Sequence, residues 1–194
     1  VTDDPSGPPR KRGRPTAAER ARRRDDILDA AVRLLMAGGF QQVTLDDIVI
    51  EARVTKRTIY GYFGDRTEIF LAAVGRLRRL TLEQPTAEGS LAELAVNIVI
   101  TAHSDQSVGL HRLMIIESQS FPELAQRFYR EGPMGYIEAI GHRLPRPDPD
   151  LATSLFTLLL GEAHRQRLLG LRRAPTRDEA VAHAHRALGH LGLG

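Results

Sequence analysis

The strongest constraint on how this chain folds is a pair of helix starts of one design, Val43-Thr44 and Val54-Thr55, close together in "VTLDDIVIEARVTKRTIYGYF". Thr44 suits an N-cap, and Asp46 and Asp47 follow in the first turn, where carboxylates meet the positive end of the helix dipole. Val43 and Ile48 have the spacing of a hydrophobic staple, and Val54 and Ile59 repeat it around Thr55. Upstream, Thr16 and Glu19 have capping-box spacing at the head of "TAAERARRRDDILDAAVRLLMAGGF". Ile27, Ala31, Leu34 and Leu35 form one apolar face of that helix, and Gly38-Gly39 supplies a stop. A further helix starts at Asp65, with Glu68 three residues on. Three helices, the last two short and joined by a tight turn, have the sequence shape of a helix-turn-helix.

That shape gives a role to "TKRTIYGYF". Ile59 and Phe63 face the small core made by the first two helices. Thr55 caps the helix, and Lys56, Arg57 and Thr58 stand at its free N-terminal end, where a recognition helix presents side chains to the major groove. Tyr60 and Tyr62 carry hydroxyls long enough to reach the flanking phosphates. The plainer alternative is an amphipathic helix with a solvated basic face. Charge is distributed in keeping with the first reading: residues 1–79 carry 16 bases and 11 acids, the remainder 11 and 13. A basic front on a slightly acidic body suits a chain whose front alone meets a polyanion.

From Arg24 to Phe70 the residues resemble the amino-terminal domain of the TetR/AcrR family of bacterial transcriptional regulators. "ILDAAVRLLMAGGF", "VTLDDIVIEARVTKRTIYGYF" and "DRTEIF" stand at the family's spacing without gaps. The resemblance implies that Thr44 anchors a phosphate, that Lys56, Arg57 and Thr58 lie where bases or their phosphates are read, and that Tyr60 is the phosphate-contacting tyrosine. Tyr62 replaces a common histidine, Arg66 a usual lysine, and Thr67 a frequent glutamate. Arg53 stands in the turn where the family often has glycine, which matters if the position needs φ > 0. Gly61, inside the second short helix, costs up to about 1 kcal/mol relative to alanine. Ahead of the first helix, "RKRGRP" resembles the core of an AT-hook. Gly13 allows close approach to the groove floor, Pro15 keeps Arg14 extended, and Arg12 and Arg14 suit a narrow minor groove; a merely basic tail is the alternative.

The expected architecture is all-α: an arm over residues 1–15, a helix-turn-helix domain over 16–65, and a helical second domain over 66–194. Beyond the fourth helix, helical segments are expected near 87–103, 107–118, 122–144, 149–172 and 176–191, with Gly170 and Gly189 near the last two ends. "FPELAQRFYREGP" and the long helix after it resemble the second domain of AefR-like members of the family. That resemblance implies a homodimer and a small-molecule pocket. Ala180, Ala184, Ala187, Leu188 and Leu191 form a small-residue stripe suited to a subunit interface, with packing inside one chain as the alternative. Met114, Phe121, Phe128, Tyr136 and Phe156 are candidates to line an apolar pocket, with Glu117, Gln119 and His164 as its polar points; ordinary core packing is the alternative.

Other function classes find little in the residues. No P-loop, nucleotide-binding glycine fingerprint or G-x-S-x-G elbow occurs, and there is no cysteine. His183 and His185 point to different faces of one helix and His190 lies two turns from His183, so no metal site and no cofactor are expected. The polar, basic amino terminus and short apolar runs suggest a cytoplasmic protein without membrane contact. The sequence thus points to a homodimeric repressor released from an inverted-repeat operator by a small molecule. An architectural binder of A·T-rich DNA and a ligand-independent regulator are the alternatives.

Overall fold

The computed structural model describes residues 16–82 and 89–194, and every regular element among them is an α-helix. The expected arm contacts Arg12, Gly13 and Arg14 lie outside the described residues. The first helices are α1 (Ala17–Gln42), α2 (Leu45–Glu51), α3 (Lys56–Tyr62) and α4 (Arg66–Leu82). They are followed by α5 (Leu91–Ala102), α6 (Asp105–Glu117), α7 (Pro122–Glu131), α8 (Pro133–Gly141), α9 (Pro149–Leu168) and α10 (Arg177–His190). No helix among the described residues is long and apolar enough to cross a membrane.

Side-chain caps set most of the starts. Thr16 and Glu19 exchange backbone bonds of 2.7 and 3.1 Å, and Thr176 and Glu179 form the same box at α10. At Gly39, φ 79° and ψ 162° end the regular part of α1, and one further turn runs on to Gln42. Elsewhere the boundaries move from their expected places. Ser90 and Ser104 cap α5 and α6, so α5 starts later, and α6 earlier, than periodicity suggests. The single helix expected over 122–144 is two, because Pro133 offers no N–H to continue α7. Gly132, at that junction, packs so tightly that a Cβ there would lie 3.1 Å from Val74. Gly170 (φ 75°) follows α9, whereas Gly189 is within α10 and Gly192 (φ 67°) takes the left-handed turn after it.

Two apolar clusters hold the helices together. The first joins Ile27, Leu35, Ile48 and Ile59 of α1–α3 to Phe70 of α4 and Leu110 of α6, so it runs through the junction of residues 65 and 66. Phe40 sits at its centre, edge-on to Phe70 (6.0 Å) and Phe121 (5.0 Å). The buried Phe40 N–H, released by the break at Gly39, donates to Glu117 Oε1 at 3.0 Å. Arg76, buried in α4, ties α1 by donating to the Asp25 carbonyl at 3.2 Å and to the Asp29 carboxylate.

The second cluster is built by α5, α8, α9 and α10 and corrects one expectation. Ala180, Ala184, Ala187 and Leu188 are all buried in it, and Leu191 packs at its edge. The small side chains let α10 approach α5 of the same chain closely, so the stripe is internal and not an exposed interface.

The Glu117–Phe40 bond yields a test of how α6 is fastened to α1. Glu117→Ala leaves a buried N–H without an acceptor and is expected to cost about 1–3 kcal/mol in urea unfolding. Glu117→Gln keeps an acceptor and should lose less than half as much.

Candidate nucleic-acid interface and internal cavity

The α2–α3 pair is fixed from beneath and open on its outer side. Ile48 and Ile59 are wholly buried, while Tyr60 is 60% exposed. The turn between the helices has the bonding of a Schellman motif, with Arg53 N–H donating to the Ile50 carbonyl and Val54 N–H to the Val49 carbonyl, both at 3.1 Å. Arg53 occupies its left-handed position at φ 52°, the conformation that a glycine takes without strain. Arginine there is tolerated because the staple and the two backbone bonds determine the turn around it.

Thr44 is exposed at the α2 N-cap, where its hydroxyl donates to Asp47 at 2.7 Å and accepts from the Asp47 N–H at 3.2 Å. The hydroxyl bond, and after it the Thr44 N–H that donates to the same carboxylate at 2.8 Å, hold the Asp47 carboxyl below its usual range. Thr55 accepts from the Thr58 N–H at 3.1 Å, and the two hydroxyls lie 2.9 Å apart. Lys56 is paired with Asp46 at 2.8 Å, and that hydrogen bond and charge raise its pKa. Arg57 is exposed and has no hydrogen bond or ion pair among the described residues. Tyr62 is half-buried against Phe63, with rings 6.1 Å apart. Arg66 is turned inward: it donates to the Val43 carbonyl at 2.6 Å and lies 4.4 Å over the Phe40 ring. In this arrangement Arg66 braces the entry to α2 and does not face outward with Arg57 and Tyr60.

A cavity of about 80 Å³ lies among α4, α6, α7, α8 and α9. Phe128, Tyr136, Phe156 and His164 line it, as the sequence proposed for pocket residues. The other four candidates lie elsewhere. Met114 is buried in the first cluster, Glu117 holds the Phe40 N–H, Phe121 packs on the Phe40 ring, and Gln119 is exposed. Sequence reading missed His111, which also lines the cavity and whose Nδ1 lies 3.1 Å from His164 Nε2. No local pattern could have revealed it, because its partner is 53 residues away.

These two rings belong to a row of four. His103 packs edge-on against His164 at 5.3 Å, and His183 lies 6.1 Å from His103. A break in α9 at Gly161 (φ 54°) accounts for the far half of the row. His103 Nε2 bonds the Leu159 carbonyl at 3.1 Å, and His183 Nε2 bonds the Leu158 and Leu159 carbonyls at 3.1 and 3.0 Å. Imidazole N–H groups thus serve carbonyls next to the interruption. No group of three or more potential ligands among the described residues is arranged to hold a metal ion.

Burial pushes His103 and His164 down to about 4 and also lowers His111. The unfolded chain therefore binds more protons than the folded one between about 6.5 and about 4. Stability should be fully present above this window and fall as pH drops through it. Urea unfolding at pH 7.5, 6 and 5 should show that decline, and it should be shallower in His164→Gln.

Comparison with known proteins agrees with this architecture. Residues 27–73 match the family model described as "Bacterial regulatory proteins, tetR family", and residues 89–190 match "AefR-like transcriptional repressor, C-terminal domain". The HTH-type transcriptional regulator SrpR of Pseudomonas putida is 33% identical over 109 residues, 54% of this chain. That match spans about half of the relative's own length, 51%. The HTH-type transcriptional repressor BepR of Brucella suis biovar 1 (strain 1330) is 42% identical over 65 residues, 34% of this chain and 31% of BepR. In fold, the chain is similar to a TetR transcriptional regulator from Agrobacterium tumefaciens, with a TM-score of 0.60 and 24% identity over 87% of this chain and 92% of that one. A helix-turn-helix on a helical body, matched across both halves, places this chain in the TetR family of bacterial regulatory proteins, a family of transcriptional regulators and not of enzymes.

Proposed function

We propose that this chain is a homodimeric repressor that reads an inverted-repeat operator through α3 and is released by a small molecule held in the cavity. The observation that carries the reading is the outer face of α3. Arg57 and Tyr60 project from a helix whose other side is anchored by the buried Ile59, so the recognition side chains stand on a rigid base. Lys56 can join them by exchanging Asp46 for a phosphate, an exposed pair being weak. The arm with Arg12 and Arg14 would add minor-groove contact, and residues 16–65 would act as the reading head on a body of 66–194. Repression is supported by the descriptions of the AefR-like domain and of BepR.

Because the alanine stripe of α10 is internal, a second copy would pack on the outward side of α9 and α10, where Ser154, Thr157, Ala182 and His185 are exposed. Two-fold pairing there would set the two α3 helices about one turn of duplex apart. Release follows a short path. Val74 and Leu77 of α4 line the cavity, and the same helix begins at Arg66, which grips Val43 at the entry to α2. A ligand that favours a shifted α4 would move the reading head with it.

The test is selection of bound sites from a random duplex library by the purified full chain at moderate salt. An enriched inverted repeat is expected, and Arg57→Ala should weaken binding to it by about 5- to 100-fold. Enrichment of A·T-rich duplex without symmetry would support the architectural alternative instead.

A further inference from the structure

We propose that a second pocket, among α5, α9 and α10, is a site for a doubly charged oxyanion such as a phosphate group, held between the guanidiniums of Arg172 and Arg186. Such a site is independent of the effector role given to the first cavity. The pocket lies at the other end of the histidine row and has a volume of about 70 Å³. Val99 and Ala163 supply its apolar part, and His103, His183, Arg172 and Arg186 its polar part. A water molecule's share of the liquid is about 30 Å³, so the pocket takes a single small oxyanion.

The charge around this pocket is positive and unbalanced. Arg172, between α9 and α10, and Arg186, on α10, are both exposed, and neither guanidinium has a hydrogen bond or ion pair among the described residues. No aspartate or glutamate is among the lining residues. Carboxylates of the adjoining turns are engaged elsewhere: Glu162 with Arg165, Glu179 with Arg173, and Asp105 with Arg167. Burial is the main cause that lowers the His103 pKa, and the charged groups that add to it, His183, Arg167 and Arg172, are all cationic, with no acid opposing them.

The donors come from the two arginines. His103 Nε2 is used on the Leu159 carbonyl and His183 Nε2 on those of Leu158 and Leu159, so neither neutral ring keeps a second N–H. A guanidinium is planar, always charged, and offers forked N–H groups that fit two oxygens of a phosphate at once. Two guanidiniums match two negative charges. Acetate would leave one positive charge unanswered, and chloride has no pair of oxygens for a fork. A bound oxyanion would also tie the segment that carries Arg172 to α10 through Arg186, and so stabilise the folded chain.

The experiment uses the full chain with 15N-labelled histidine near pH 7.5, titrated separately with phosphate, methyl phosphate, acetate and chloride at one ionic strength. Long-range 1H–15N spectra follow the ring nitrogens of His103 and His183, which line the pocket and do not report on anions gathered by the basic front of the chain. Phosphate should shift both rings saturably in the millimolar range, bind about 5-fold or more tightly than acetate, and raise the thermal midpoint, while chloride shifts neither ring. Arg172→Gln and Arg186→Gln should each weaken phosphate by about 5-fold or more. Neither side chain is bonded to the rest of the protein among the described residues, so both variants keep the fold. Arg177→Gln removes the same charge from an exposed, equally unbonded position of α10 outside the pocket, and should change the affinity by less than about twofold. Methyl phosphate binding as tightly as phosphate would support a phosphate group carried on a larger molecule, and binding of phosphate alone would support the free ion. No saturable shift at His103 and His183, equal shifts with chloride, acetate binding as well as phosphate, or equal weakening by Arg177→Gln would each overturn the proposal.

Discussion

Phe40 is the point through which the rest of the structure is connected. It stands just after the turn at Gly39, where α1 gives up its regular hydrogen bonds, and its N–H is taken up by Glu117 of α6. Its ring meets Phe70 of α4 and Phe121 before α7, and Arg66 lies across it while holding the carbonyl of Val43. Burying such a ring contributes about 1.5–3 kcal/mol, but its placement matters more than its magnitude. Helices α1, α4 and α6 and the segment leading into α7 meet at one residue, so α1–α3 and the helices behind them share a core and are not beads on a linker.

The cavity depends on the same arrangement. Its walls include α4 and α6, the helices that grip α2 through Arg66 and α1 through Glu117. On its other side, the break in α9 brings carbonyls within reach of His103 and His183, and the imidazole row leads from there to the cavity wall. A helix interruption in a buried body normally carries a cost in unpaired backbone groups. Here side chains from α5 and α10 offset it, and the row they begin runs through His164 to His111 at the cavity wall.

What could be read from the sequence was local. The caps at Thr16, Thr44, Thr55 and Thr176 and the glycine stop at Gly39 are short-range chemistry, and the structure has them where the residues placed them. Arg53 is the residue that a left-handed turn would strain, and it has φ 52°. The misses came from contacts between distant segments. The alanine stripe of α10 shows that a helix approaches closely, but not that the helix is α5 of the same chain. Arg66 resembles a surface base until Phe40 and Val43 are seen beside it. Glu117 resembles a polar point of a pocket until the orphan N–H of Phe40 claims it, and His111 had no signal at all because its partner lies on another helix.

The shared core is tested most directly by native-state hydrogen exchange across the junction. The amides of Ala52 and Phe63, bonded to the carbonyls of Ile48 and Ile59, report on α2 and α3. Those of Leu113 and Met114 report on α6, whose apolar face enters the same cluster. One core predicts a common opening free energy for both sets and a parallel decline with added urea. Opening of Ala52 and Phe63 at a clearly lower free energy, with its own shallower urea dependence, would mean that the reading head unfolds by itself and would contradict the account.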